Sequence, residues 1–278
     1  MHRDEESMTG RDRRSWLIAA VAFLGIAQVA LAGRAQHALA EYWLAVALAW
    51  ACAALLWDFS AAEPASRWWI APGAALVAAS LIEMAPLRYQ TAHRLAPLAA
   101  GLGLSVLFGP REVRRQAKAL AMLLFPWLLP APRWARDTLD LCPPTAAMSE
   151  ALLKLAGVPV SRAGIELRLP GSTLLVFQGC SGLTQIFALL FLAIFAISLF
   201  PTTRREKIFL FASAVLVGFV SNAVRIAALA MMADQGQMRR FAEWHEGTLS
   251  PLCTVAAAGV ALALWLPLLL RPSGEAAT

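Results

Sequence analysis

Three side chains in this sequence have the types and settings that chemistry needs: a cysteine, an arginine and a histidine. Cys180 lies in Gly179-Cys180-Ser181-Gly182, where an alternating polar and apolar stretch gives way to a long apolar run. A helix starting there offers unbonded N–H groups and the positive end of its dipole, which stabilise a thiolate and lower the thiol pKa from about 8.5. Gly179 and Gly182 leave room for another backbone to approach closely. The competing reading is a buried cysteine that packs as a small hydrophobe. Arg225 stands inside another apolar run, in Ser221-Asn222-Ala223-Val224-Arg225-Ile226. An unpaired arginine within a membrane helix costs about 2.5–3.5 kcal/mol on insertion scales, so it is predicted to face the bundle interior. The alternative is an arginine that snorkels to the interface. Asn222 and Ser221, three and four residues earlier, share its helical face. Asn222 either orients Arg225 or packs between helices. His245, in Glu243-Trp244-His245-Glu246-Gly247, is a general acid and base if it meets the other two, and a solvated loop histidine if it does not.

The elements that must position these residues are membrane spans. The 278 residues are 59% hydrophobic and only 15% charged, against roughly 45–50% and about 25% in a soluble domain. That balance excludes a soluble single core and a disordered chain. About 20 apolar residues cross a hydrocarbon core, which places spans near 16–32, 39–57, 68–85, 94–109, 118–131, 181–200, 208–232 and 250–270. The fold class is therefore an all-α polytopic membrane protein of eight spans. Pro97, Pro126 and Pro130 punctuate the two short spans and predict tilted or broken helices. No cleaved signal peptide is expected at the N-terminus.

The formal charge is +6, but the basic residues cluster between spans, which points to membrane topology rather than to nucleic acid. With the N-terminus inside, the inner segments hold Arg3, Arg11, Arg13, Arg14, Arg67, Arg111, Arg114, Arg115, Lys118, Arg204, Arg205, Lys207 and Arg271. The short outer loops hold only Arg34, Arg88, Arg94, Arg239 and Arg240. Both termini are expected in the cytoplasm and residues 132–179 outside. That topology brings Cys180, Arg225 and His245 to one side of the membrane.

The expected organisation is a cytoplasmic tail at 1–15, N-terminal spans over 16–131, an outer segment at 132–179, a C-terminal membrane core at 180–270 and a tail at 271–278. In the outer segment, residues 145–157 read as an amphipathic helix capped by Thr145 and stopped by Gly157. Residues 164–169, Pro170-Gly171-Ser172 and 173–177 read as a β-hairpin that delivers the chain to Cys180. Cys52 falls within a span. Cys142 and Cys253 fall near the outer face, so a disulfide between them stays open, and one involving Cys180 is not expected. No histidine, cysteine and carboxylate cluster points to a metal, and no cofactor motif is present.

Gly179-Cys180-Ser181-Gly182-Leu183, then Asn222-Ala223-Val224-Arg225-Ile226, then His245 resemble, in order and approximate spacing, the exosortase/archaeosortase family of membrane transpeptidases. Gly157-Val158-Pro159-Val160 and Gly164–Pro170 are similar to that family's segment before the cysteine, and the likeness covers about 118–265. Many members carry a Gly-Trp pair shortly after the histidine. Here the run is His245-Glu-Gly-Thr-Leu-Ser-Pro251, and its Trp-His-x-Gly form resembles the cyanobacterial-type subgroup. The resemblance implies an inner-membrane cysteine transpeptidase with its site on the extracytoplasmic face. Its partners would be the lipid bilayer and exported proteins that end in a sorting signal: a short motif, a transmembrane helix and a basic tail. It implies Cys180 as nucleophile, His245 as acid and base, and Arg225 as stabiliser of the thiolate or oxyanion. Gly179, Ser181 and Asn222 would support them. Two other classes compete with this reading. One is a small-solute transporter or channel in which Arg225 binds an anion, and the other is a non-catalytic envelope-assembly protein.

Overall fold

The computed structural model describes residues 10–34, 40–60, 67–84, 91–129, 131, 133–247 and 249–271. Arg3, Arg88, Pro130 and most of both predicted tails lie outside the described residues. In chain order the helices are α1 (Gly10–Arg34), α2 (Ala40–Leu56), α3 (Arg67–Met84), α4 (Ala96–Leu107), α5 (Pro110–Arg115), α6 (Ala117–Met122), α7 (Phe125–Leu128), α8 (Arg133–Thr138) and α9 (Cys142–Leu155). Three short strands follow, β1 (Ser161–Ala163), β2 (Glu166–Arg168) and β3 (Thr173–Leu175). The chain ends with α10 (Leu183–Leu199), α11 (Arg204–Asp234), α12 (Met238–His245) and α13 (Ser250–Leu269). Two compact units result, Met1–Trp127 and Leu128–Thr278.

The eight predicted spans overlap helical segments, and among the described residues four helical segments are long and apolar enough to cross a membrane: Arg14–Gly33, Gln178–Leu199, Arg204–Asp234 and Ser250–Leu269. The protein is thus an integral membrane protein, mostly helical, with a small sheet. The segment near 118–131 is broken, as its prolines suggest: α6 stops at Met122 and α7 restarts at Phe125, with Pro126 in its first turn.

The first unit holds a buried polar knot among apolar helices. The Trp50 indole N–H donates to Gln28 Oε1 at 2.9 Å. Gln28 Nε2 in turn donates to the Ala96 carbonyl at 3.2 Å and to Ser80 Oγ at 3.3 Å. Gln28 is fully buried, and with these partners its amide avoids the cost of an unmade hydrogen bond. Helices α3 and α4 touch at glycines, because a Cβ on Gly73 would come within 2.8 Å of the Gly103 carbonyl oxygen. At the end of α2, Arg115 donates to Asp58 at 2.7 Å and holds that carboxyl well below the usual range.

The second unit carries the predicted outer segment. The sheet has three strands in the order β1-β2-β3, where the sequence pattern gave two. The turn at Gly164-Ile165 adds β1, pairing Ala163 with Glu166. The predicted turn at residues 170–172 does join β2 to β3, with Leu167 opposite Leu174. Helix α9 begins at Cys142, three residues before the predicted cap, because Pro143 and Pro144 suit a first turn. Gly157, at φ 73°, follows its end as the sequence suggested.

Two apolar clusters hold this unit together. One joins Leu153 of α9, Leu167 and Val176 of the sheet region, Cys180, and Ile226 and Leu229 of α11, with Phe241 and Trp244 of α12 packed on it. The other, around fully buried Trp265, joins α10, α11 and α13. Its indole N–H donates to Ser213 at 2.8 Å. Helix α11 starts with a capping box: Thr203 accepts from the Glu206 N–H at 3.3 Å while Glu206 accepts from the Thr203 N–H at 2.8 Å. At about 1.5 Å per residue its 31 residues span about 46 Å. That exceeds the hydrocarbon thickness of about 30 Å, so α11 is more than long enough to cross it.

Candidate active site

Cys180 closes a short 3₁₀ turn, Gln178–Cys180, between β3 and α10. Its N–H donates to the Phe177 carbonyl at 2.8 Å, and its own carbonyl accepts from Asn222 Nδ2 at 2.9 Å. The cysteine lies at the strand-to-helix junction that the sequence suggested, two residues upstream of the α10 cap, Gly182. Gly182 adopts φ 87°, a left-handed conformation that L side chains disfavour by roughly 1–2 kcal/mol. The space its Cβ would need is taken by the Asn222 amide at 2.8 Å. The corresponding space at Gly179 is taken by the Phe177 ring at 2.7 Å. Both glycines therefore accommodate side chains of this chain, a correction to the expectation that they admit a foreign backbone.

Ser181 is fully buried, and its hydroxyl donates to the Gln178 carbonyl at 2.8 Å. Its carbonyl accepts from Thr145 Oγ1 at 3.0 Å. One turn along α9, Ser149 donates to the Ala223 carbonyl at 3.0 Å. Thr145 is thus not a helix cap. With Ser149 it fastens α9 to the cysteine turn on one side and to α11 on the other. A threonine and a serine four residues apart are the sequence signal for such a shared face.

His245 ends α12, and its Nε2 lies 3.4 Å from Cys180 Sγ. The ring stacks on Phe241, with centroids 5.3 Å apart, and meets Phe177 at 6.1 Å. On its far side, Nδ1 lies 3.4 Å from Glu246 Oε1. A proton held on Nδ1 toward that carboxylate leaves the Nε2 lone pair facing the sulfur. Burial pushes the imidazole below its usual 6.5; Glu246 opposes that shift and the Arg225 charge adds to it. That direction favours the uncharged ring at neutral pH. Glu246 and Phe241 were missed in the sequence, although Glu246 adjoins the histidine.

Arg225 reaches the same place from α11. Its Nη2 donates to the His245 carbonyl at 2.7 Å, to Ser250 Oγ at 3.2 Å and to the Trp244 carbonyl at 3.4 Å. The guanidinium thus sits at the carboxyl end of α12, where the helix dipole favours a cation. Its Nε is buried and has no partner among the described residues. The expected contact with Asn222 is replaced: Asn222 serves the cysteine carbonyl, and the α12 end holds Arg225. Ser221 of the same stripe accepts from Gln185 Nε2 at 3.0 Å, and Gln185 also donates to the Cys253 carbonyl at 3.2 Å. This polar link of α10, α11 and α13 was also missed. An apolar groove of about 630 Å³ runs between α11 and α13, with Val220, Val224 and Val260 in its walls and Arg225 and Trp244 bordering it.

All four cysteines are free thiols. Burial, with Asp140 assisting, pushes Cys142 up to about 11, so it stays protonated. Among the described residues no group of three or more histidine, cysteine and acidic side chains is arranged for a metal ion.

The second unit of this helical membrane protein thus brings a thiol, an imidazole and a guanidinium together. The transmembrane exosortase family model matches residues 40–264, and the chain belongs to that family. It is accordingly a membrane transpeptidase for protein substrates that carry sorting signals. No curated protein and no solved structure matches the chain.

Proposed function

We propose that the protein cleaves C-terminal sorting signals from exported proteins through a thioester on Cys180 and passes them to an acceptor in the cell envelope. The observation that carries this reading is the 3.4 Å approach of Cys180 Sγ to His245 Nε2, within the usual looseness of a resting nucleophile and base. In the first step the Sγ proton moves to Nε2 and the thiolate attacks the scissile carbonyl carbon. The carbonyl becomes an oxyanion, and the buried, unpartnered Nε–H of Arg225 is the donor offered to it. The C–N bond then breaks, His245 gives its proton to the leaving amine, and the upstream protein remains as an acyl group on sulfur. In the second step His245 takes a proton from the acceptor nucleophile, which attacks the thioester and releases Cys180.

The remaining side chains position these three. Asn222, Ser181 and Thr145 fix the main chain around Cys180, and Arg225 holds the His245 carbonyl while its other face stays available. The site would face the extracytoplasmic side of a prokaryotic inner membrane with both termini in the cytoplasm. The Trp244-His245-Glu246-Gly247 run favours the cyanobacterial-type subgroup. Neither a transporter nor a passive scaffold accounts for a histidine held against a cysteine by an intramembrane arginine. The test is processing of a partner protein bearing a sorting signal. Cys180→Ala should abolish it at normal enzyme abundance, while Cys52→Ala, Cys142→Ala and Cys253→Ala should retain it. Processing by Cys180→Ala would end the proposal.

A further inference from the structure

The strand that leads to Cys180 has a free edge. In the order β1-β2-β3, β3 is paired on one side only, and Leu167 stands opposite Leu174. The Leu169 N–H donates to the Ser172 carbonyl at 2.9 Å, and the Val176 N–H donates to the Ile165 carbonyl at 3.0 Å. Antiparallel ladders alternate bonded and non-bonded pairs, so Ser172, Leu174 and Val176 turn their main chain toward β2. Thr173 and Leu175 must then point their N–H and C=O groups away from the sheet. Those groups have no backbone partner among the described residues.

Proteins normally protect such an edge with lysine, proline or a bulge. Thr173-Leu174-Leu175-Val176-Phe177 contains neither a charge nor a proline. Leu175 is 50% exposed and Phe177 46%, both on the face opposite the buried Val176. The edge also adjoins the site, because the Phe177 carbonyl accepts the Cys180 N–H at 2.8 Å and the Phe177 ring meets His245.

We propose that the free edge of β3 binds an extended polypeptide by strand addition, and that this polypeptide is the substrate segment just upstream of the bond that Cys180 attacks. The inference rests on Cys180 being the nucleophile. A peptide running parallel to β3 reaches the cysteine turn with its carboxyl end, as acylation of its upstream part requires. Main-chain hydrogen bonds to Thr173 and Leu175 supply binding that is indifferent to sequence, while Leu175 and Phe177 favour apolar side chains at alternate substrate positions.

The test uses full-length enzyme in liposomes with a sorting-signal substrate, after Cys180→Ala has been shown inactive. Leu175→Pro removes an outward N–H without touching the β2 ladder, whereas Leu175→Val keeps it. The expected result for Leu175→Pro is a loss of roughly tenfold in kcat/KM, carried by KM, with Leu175→Val, which trims only the side chain, losing less than Leu175→Pro. Alkylation of Cys180 by iodoacetamide should be unchanged, showing an intact site. A proline scan of the substrate upstream of the cleavage point should give losses that alternate with a period of two residues, and this arm holds even if Leu175→Pro misfolds. Wild-type kinetics for Leu175→Pro, equal losses for both variants, or a scan without alternation would overturn the proposal. So would conversion of a dimer to a monomer by Leu175→Pro at unchanged kinetics, which would assign the edge to a second copy of the chain. Processing by Cys180→Ala would instead remove the nucleophile reading on which the inference rests.

Discussion

Among single residues, Arg225 and His245 divide the proposed chemistry between them. A planar guanidinium can hold the His245 carbonyl with one nitrogen and offer its buried Nε to an oxyanion with another, which a lysine cannot copy. Arg225→Lys should therefore insert normally and lose processing on the order of a hundredfold, comparable to removing one oxyanion donor. An arginine that merely snorkels would tolerate the change, so near-wild-type activity would count against its role. The acid limb of kcat/KM should lie below pH 6.5, because burial lowers the His245 pKa and the uncharged ring is the base. Glu246→Gln removes the one group that raises it, so the limb should move to still lower pH. A limb above 6.5 in the wild type would assign the base elsewhere. The three candidate side chains stood out in the sequence because a thiol before an apolar run, an arginine within one and an imidazole beside a tryptophan are costly or reactive in such settings. Glu246, Phe241 and Gln185 were not, since each looks ordinary until a fold places it.

At the scale of elements the site is held by main-chain carbonyls that accept from side chains of other helices. Asn222 of α11 donates to Cys180, Thr145 of α9 to Ser181, and Ser149 of α9 to Ala223. Such partners are hard to foresee, because a serine or threonine on a helix can equally satisfy itself one turn back, as Ser198 does with Ile194. The predicted cap at Thr145 failed because Pro143 and Pro144 start the helix earlier and the Thr145 hydroxyl is spent on the Ser181 carbonyl, and the extra strand β1 escaped because Ser161-Arg162-Ala163 is short and exposed. Gly182→Ala tests the arrangement directly. The substitution forces a left-handed alanine and drives a Cβ against Asn222, so it should cost about 1–3 kcal/mol in thermal stability. It should also slow iodoacetamide labelling or processing at Cys180. A fully stable and active Gly182→Ala would mean that the Asn222 contact does not position the cysteine.

At the scale of the whole molecule the issue is which face the site occupies. The apolar runs made the helical segments legible, yet among the described residues four reach crossing length and apolarity, and the break between α6 and α7 shows how a proline-bearing run stays short. Orientation rests on the basic residues. Reporter fusions at Arg13, Arg114 and Arg205 should read cytoplasmic and one near Ser161 extracytoplasmic, whereas a cytoplasmic Ser161 would put Cys180 out of reach of exported proteins. The proposed chemistry is covalent, with the upstream substrate passing through a thioester on Cys180. The most direct measurement is mass spectrometry of the Cys180 peptide from enzyme incubated with substrate and without acceptor. That peptide should carry the carboxyl terminus of the upstream protein, in a form released by hydroxylamine and missing from Cys180→Ala. Substrate cleaved with no adduct on Cys180, or with the adduct on another residue, would contradict it.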